Sequence, residues 1–404
     1  MARVLMAWEI GQNFGHVMPL LSIAKALRAR GHDVSFAVKD LRQVSAIVRA
    51  EGFLICQAPA HPGMPVLPGG LQPETMADIL KLHGYQDTGT LHAYLLAWRE
   101  LLGRTASELL VASYAPTALL AARTLGLRTA VAGTAFELPP PVSPLPSFRP
   151  WLKTPEAALR DSDAKVAEVV NAVVGRYGRH ISAAWEVFAA QRQVLWTFPE
   201  LDPFATQRKV GAATITYSGG LFPSHLGELI VWPKVDGPRV LAYFRYPTKT
   251  LEPIVERLAN MPAAFSVVAP DLDAFAINKL TRANVSFTSR AIQLAPALSA
   301  CQALVGYASH GTACAALLQG KPMVLVPEHM EGVMLTNQIV RLGAAAYVRR
   351  PDPERLTSAL AEVLADSRFG TAAGRFMHKY RGYDPELQAM RIAELFGMRL
   401  ANSP

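Results

Sequence analysis

Cysteine is scarce in this chain: only three occur in 404 residues, Cys56, Cys301 and Cys314. They lie far apart among apolar neighbours, so neither a disulfide framework nor a Cys-rich metal site is encoded, and they read as reduced core residues of a cytoplasmic protein. Long apolar runs are missing as well. The stretch from Leu109 to Ala132 is broken by Arg123 and Arg128, which leaves no clean membrane span, and the opening MARVLMAWEI, interrupted by Glu9, reads as a first β-strand rather than a signal segment. Charge runs are also missing. The formal net charge is +8, but no Lys/Arg run exceeds Arg349-Arg350, which argues against nucleic acid and favours small anions, with contact to an acidic membrane surface left open. No pair among His61, His83 and His92 has metal-ligand spacing, so no metal site is expected.

What is present is apolar residue in quantity, 50% of the chain, enough for two separate cores. The pattern is α/β in two halves. In the first, Val4 to Trp8 reads as a buried strand, followed by a loop over Glu9 to Gly15 and a helix from about His16 to Arg30 with Pro19 in its first turn. Gly31 ends the helix and Asp33 to Val38 returns as a strand, which makes a βαβ unit whose loop sits at the strand C-terminal edge, where open parallel sheets bind ligands. Beyond Gln57 a cluster holding Pro62, Gly63, Pro65, Pro68, Gly69 and Gly70 predicts a surface excursion. Helices are expected over Met76 to Leu110, and a helical region over Pro155 to Arg192. Turn residues between Phe198 and Pro238 mark the domain boundary, set here at 215/216. In the second half, strands are expected at Val240 to Phe244, Phe265 to Ala269, Val285 to Phe287, Ala303 to Val305 and Met323 to Val326. A last helix over Pro385 to Phe396 has Asp384 as its N-cap.

The segment YASHGTACAALLQGKPMVLVPEHMEGVMLTN, Tyr307 to Asn337, carries the most chemistry. A strand ends in Ser309, His310, Gly311 and Thr312, and a small-residue helix follows from about Thr312 to Gln319. The unpaired N–H groups and partial positive charge of such a helix start suit a pyrophosphate over Gly311 and Thr312, with His310 as a further donor. Arg245 and Thr248, after the first strand of the second half, are within reach of the same phosphates, and a nucleotide base would fit near Ile292 through backbone contacts.

This segment resembles the donor-binding signature of the bacterial UDP-glycosyltransferase-like enzymes, the macrolide and natural-product branch, which reads H-G-T, G-x-P, P-x-x-x-E-Q and then N. The stretches GHVMPLLSIAKALRARGHDVSF, ASYAPTALLAARTLGL and GTAFELPPPVSPLP fit the same family, so the resemblance covers most of the chain. It implies a GT-B fold: two Rossmann-like domains facing across a cleft, an acceptor domain over 1–215, a nucleotide-sugar domain over 216–383, and a C-terminal helix in 384–404 crossing back to the first. It further implies a metal-independent inverting glycosyltransferase without cofactor, whose partners are a nucleotide-diphosphate sugar (UDP or dTDP) and a small, largely apolar acceptor.

By that resemblance His16, at the G-H-x-x-P position, is the general base; at a helix start the dipole disfavours imidazolium and leaves the ring able to take a proton. Two positions depart from the pattern. Ser113 stands where the family has the aspartate that orients the histidine, so either turnover is slower, another acid such as Glu9 substitutes, or His16 is not the base. Glu331 matches the acid that accepts from sugar hydroxyls, but Gly332 replaces the usual Gln, a loss of about 1–3 kcal/mol for an unpaired hydroxyl that points to a deoxy sugar, a pentose or an unusual hexose. Asn337 matches the family's Asn. The alternatives are a catalytically silent GT-B binding protein, favoured by Ser113 and Gly332, and a sugar-nucleotide epimerase, disfavoured by the few acids near the expected cleft.

Overall fold

The computed structural model describes residues 1–11, 15–59, 61, 72–208, 215–223 and 227–398. Residues 12–14 of the first loop and the turn-rich Pro62, Gly63, Pro65, Pro68, Gly69 and Gly70 lie outside the described residues. The chain forms two compact units: Met1–Pro199 with Phe204–Leu221 and the segment from Glu386, and Glu200–Pro203 with Phe222–Pro385.

The first unit holds a seven-stranded sheet of β1 (Arg3–Trp8), β2 (Asp33–Val38), β3 (Leu54–Gln57), β4 (Leu109–Ser113), β5 (Arg128–Gly133), β6 (Arg192–Leu195) and β7 (Thr216–Tyr217), in the order β3-β2-β1-β4-β5-β6-β7. Every pairing is parallel. The second unit repeats the scheme with β8 (Arg239–Tyr243), β9 (Ala264–Val268), β10 (Val285–Thr288), β11 (Ala303–Gly306), β12 (Met323–Leu325) and β13 (Ala345–Tyr347), in the order β10-β9-β8-β11-β12-β13, again all parallel. Each order reverses direction once, between β1 and β4 and between β8 and β11. Loops leaving the two central strands diverge there, and the crevice they open is where an α/β sheet takes its ligands.

The central strands are buried on both faces, which is why they read as continuous apolar runs instead of alternating ones: all of Leu109–Ser113 and all of Ala303–Gly306 are buried. The first core gathers Met6, Trp8, Leu20, Phe36, Val111 and Trp196. Ala389, Ile392, Ala393 and Phe396 of the helix Pro385–Gly397 belong to it too, and their i, i+3, i+4, i+7 spacing is the stripe that a helix lays on a core. Arg128 Nη2 fastens that helix by donating to Phe396 O at 3.1 Å and Met398 O at 2.8 Å. The second core is built separately from residues such as Phe244, Leu251, Phe265, Val305 and Leu356.

One helix is shorter than its sequence pattern predicts. The region from Pro155 is helical over Glu156–Val174 and then breaks into a 3-10 turn, because Gly175 and the left-handed Gly178 (φ 67°) follow and Gly lowers the cost of leaving the helix. Among the described residues no helix is long and apolar enough to cross a membrane. No disulfide joins the cysteines; Cys301 and Cys314 are buried, and burial pushes both thiols up, Cys301 to about 11.

Candidate functional site

In the first unit the switch-point crevice is built on Trp8, the last residue of β1. Its indole Nε1 donates to Ile10 O at 2.7 Å, and Ile10 N donates to Tyr114 O at 2.9 Å, which ties the loop after β1 to the loop after β4. Gly11 follows with φ +94°, a conformation an L side chain resists, and its carbonyl accepts from Lys39 Nζ at 3.0 Å. His16 caps the helix Val17–Ala29 and is 7% exposed, with its ring stacked on Trp8 at 5.5 Å between centroids and flanked by Tyr114 at 5.9 Å. A Cβ on Gly11 would fall 2.2 Å from His16 Nε2. The bare glycine is therefore what leaves that nitrogen room.

The other ring nitrogen, Nδ1, lies 2.7 Å from Glu137 Oε1. Glu137 follows β5 in a turn closed on itself: Thr134 N donates to Glu137 Oε2 at 3.0 Å and Glu137 N to Thr134 Oγ1 at 3.4 Å, the reciprocal pattern of a capping box. The buried Arg208 braces the turn, its Nη2 donating to Ala135 O at 3.0 Å and Leu138 O at 2.6 Å. With a carboxylate at Nδ1 the proton belongs on that nitrogen, and Nε2 keeps the lone pair.

This corrects the expectation about the orienting group. Ser113 ends β4 opposite Trp8 and is fully buried, but its Oγ has no hydrogen-bond partner among the described residues and does not serve His16. Nor is Glu9 the substitute. Its Oε2 accepts from Thr117 N at 2.9 Å and Ala118 N at 3.4 Å, so it caps the helix Pro116–Thr124, and burial raises its pKa to about 7 against those hydrogen bonds and Lys39. Glu137 lies in the loop after β5, not on a strand, where the resemblance puts the orienting acid. Its signal, Thr134-x-x-Glu137, lies within GTAFELPPP.

The second unit has its counterpart after β11. Ala308 takes φ +63°, a strained value for alanine, and turns the chain into a helix that runs over His310–Leu318 with Ser309 as N-cap. The helix starts two residues earlier than Thr312, the start read from sequence, so His310, Gly311 and Thr312 together form its first turn and their N–H groups have no acceptor inside the helix. Ser309 Oγ donates to Thr312 Oγ1 at 3.1 Å, and the buried Cys314 Sγ sits 3.8 Å from both ring nitrogens of His310, one turn on. These three residues are half-buried, beside Tyr307 whose ring lies 5.5 Å from that of Tyr243 at the end of β8.

The remaining expected contacts are placed less favourably. Arg245 is held bidentately by Asp271, Nε to Oδ2 at 2.8 Å and Nη2 to Oδ1 at 2.7 Å, and this pairing pushes the guanidinium further up; its charge is matched within the protein rather than held for phosphate. Thr248 opens the helix Thr248–Ala259, where its N–H is a first-turn donor. Ile292 is bridged to Glu228: Glu228 N donates to Ala291 O and Gln293 N to Glu228 O, both at 2.9 Å, so the N–H and C=O of Ile292 itself face the opposite way. Glu331 is half-buried in the first turn of the helix Met330–Arg341. Gly332 is not simply a lost side chain, because a Cβ there would meet Pro327 Cβ at 3.2 Å, so that Pro327 would have to give by a few tenths of an ångström, and Tyr307 O at 3.4 Å in ordinary contact. Asn337, six positions beyond Glu331, is turned about 120° from it at 100° per residue, so the two do not share a face.

No protein-family model matches the chain. Nor does any curated protein sequence. Solved structures do. The chain is similar to the glycotransferase of kitacinnamycin (TM-score 0.72, 18% identity, 98% of each chain covered) and to the calicheamicin glycosyltransferase CalG4 (0.73, 19%, 99% of each). It is similar, too, to glycosyltransferase VinC in complex with dTDP (0.66, 16%, 97% of this chain and 100% of that one). The fold of the chain is therefore the GT-B fold of these enzymes over nearly its whole length.

Proposed function

We propose that the chain is a metal-independent, inverting glycosyltransferase that moves a sugar from a nucleoside-diphosphate donor to a hydroxyl of a small, largely apolar acceptor. The observation that carries this is the His16–Glu137 pair at 2.7 Å on the ligand-binding edge of the first sheet. The acceptor O–H gives its proton to His16 Nε2, and the oxygen attacks the anomeric carbon. The bond from that carbon to the diphosphate oxygen breaks, and the electron pair leaves with the nucleoside diphosphate. Glu137 stabilises the imidazolium that forms. In the second unit the first-turn N–H groups at Gly311 and Thr312, with His310, take up the developing negative charge. Beside His16, the ring pairs Tyr114–Phe136 at 6.5 Å and Phe136–Phe148 at 4.9 Å form an apolar aromatic cluster, of which Phe136 alone is half-buried rather than buried, and this apolar setting favours such an acceptor. VinC and the spinosyn rhamnosyltransferase SpnG are both known with thymidine diphosphate, which supports a dTDP-linked donor over the UDP alternative.

The silent-protein reading rests on Ser113 and Gly332, and the Glu137 carboxylate beside His16 speaks against the first of these. The test is nucleoside-diphosphate release from a panel of UDP- and dTDP-sugars with aromatic acceptors. Wild type should release nucleotide. His16→Ala should lose about 10²–10⁴-fold in turnover with donor binding kept, and His310→Ala should weaken donor binding as well. Tight nucleotide binding without release from any donor would reject the transferase.

A further inference from the structure

The first unit contains a second cavity, of about 510 Å³, that the transfer reaction does not use. Thr129, at the start of β5, and Gln191, just before β6, lie in its wall, whereas Glu137 follows the other end of β5. The strand from Thr129 to Gly133 separates the two, four rises or roughly 13 Å. The volume is within the range that holds a drug-sized molecule.

Its lining is chemically one-sided. Arg123, Arg179 and His180 face it, and no Asp or Glu does. Arg123 is the unusual member. Its Nη1 donates to Glu186 O at 2.7 Å and its Nη2 to Val187 O at 3.3 Å, so two of the five guanidinium N–H groups are used, both on neutral carbonyls. The buried Nε has no hydrogen-bond partner among the described residues. Burial lowers the pKa of this guanidinium; Tyr85 and the Glu186 carboxylate, which is not in the lining, act against that, and Arg179 lowers it further. A third cation borders the wall, since Arg99 Nη1 donates to Thr124 Oγ1 at 2.5 Å. Like charges converging on a cavity without a carboxylate are a cost that a bound anion removes. Leu120, Leu127, Val174 and Ile181 supply an apolar floor beside the cations.

The geometry points to a second small-molecule site here, one that takes an amphipathic anion: a carboxylate or phosphate group, set between Arg123 and Arg179, on a compact apolar body. The inference does not rest on the transferase reading, because its residues and its edge of the sheet are different.

The test is ligand-observed saturation-transfer NMR on the full chain with phenylacetate, phenyl phosphate and the neutral phenylacetamide as probes. At least one anion should bind with a Kd below about 10 mM and at least about tenfold more tightly than the amide; which anion binds better separates the two head groups. Arg179→Gln, at an exposed position, should weaken the anion by about tenfold while circular dichroism stays unchanged, and saturating dTDP should not displace it. Arg123→Lys, which keeps a charge but loses the fork, is the second variant and should also weaken the anion. Binding of neither anion, equal binding of the amide, indifference to Arg179→Gln, or displacement by dTDP would each overturn the proposal.

Discussion

The two switch-point crevices are made from the same parts and finished differently. Each has a strand running into a non-glycine residue with positive φ and then a helix: Tyr114 (φ 47°) after β4, Ala308 (φ 63°) after β11. In the first unit the crevice is filled by protein. His16 is 7% exposed, stacked on Trp8, set against Gly11 and charge-matched by Glu137. In the second it is left open, with His310, Gly311 and Thr312 half-buried and a helix start that presents donors. A proton acceptor needs fixed geometry and a defined tautomer, which close packing gives. The proposed donor site has to let a charged ligand enter and leave, which a half-buried helix start allows and a sealed one does not.

If that contrast is right, changes at the first edge should cost rate and stability together, and changes at the second should cost ligand binding or little. The largest effect is expected from Gly11→Ala. The added methyl meets His16 Nε2 and strains a positive φ, so transfer should fall by about 10³-fold in a steady-state assay, with nucleotide affinity from calorimetry unchanged. An unimpaired Gly11→Ala enzyme would mean that Nε2 does not face the reacting hydroxyl.

Next comes a pH effect at Glu9. Its folded pKa is raised from 4.5 to about 7, so the folded state holds a proton that the unfolded chain gives up; stability present below pH 4.5 is lost as pH rises to about 7, up to roughly 3 kcal/mol. Thermal melts should show that loss in wild type and not in Glu9→Gln, whose amide oxygen still accepts from Thr117 N. Parallel pH profiles would show that Glu9 is ionised when buried. Glu137→Gln keeps the volume and removes the charge, and should lower kcat by about 10²-fold with KM for the donor little changed. A kcat equal to wild type would leave His16 without need of its acid. The smallest effect is expected at the second edge. Gly332→Gln, which places the family's residue there, should destabilise by about 1 kcal/mol through the tight contact with Pro327 rather than tighten donor binding. Tighter donor binding with an unchanged melt would overturn that packing argument.

The strands were legible because buried parallel strands announce themselves as short apolar runs between turn residues, as at Leu109–Ser113 and Ala303–Gly306. Helix ends were less so: the His310 helix begins two residues before Thr312, directly after the turn made by the positive φ of Ala308, whereas propensity alone penalises Gly311. His16, His310, Gly311 and Thr312 could be picked out since each sits beside a turn at a strand end. Glu137 could not, because pairing it with His16 brings together residues 121 positions apart on different loops, and no local pattern encodes such a distance.

The apolar stripe of Ala389, Ile392, Ala393 and Phe396 has a kinetic consequence. A nascent first domain leaves the ribosome without its closing element, and its hydrophobic face stays uncovered while the whole of the second domain is translated and folds. Removing that stripe, by truncation before Pro385 or by Phe396→Ala, should therefore show most clearly as aggregation during synthesis, with the second domain maturing normally.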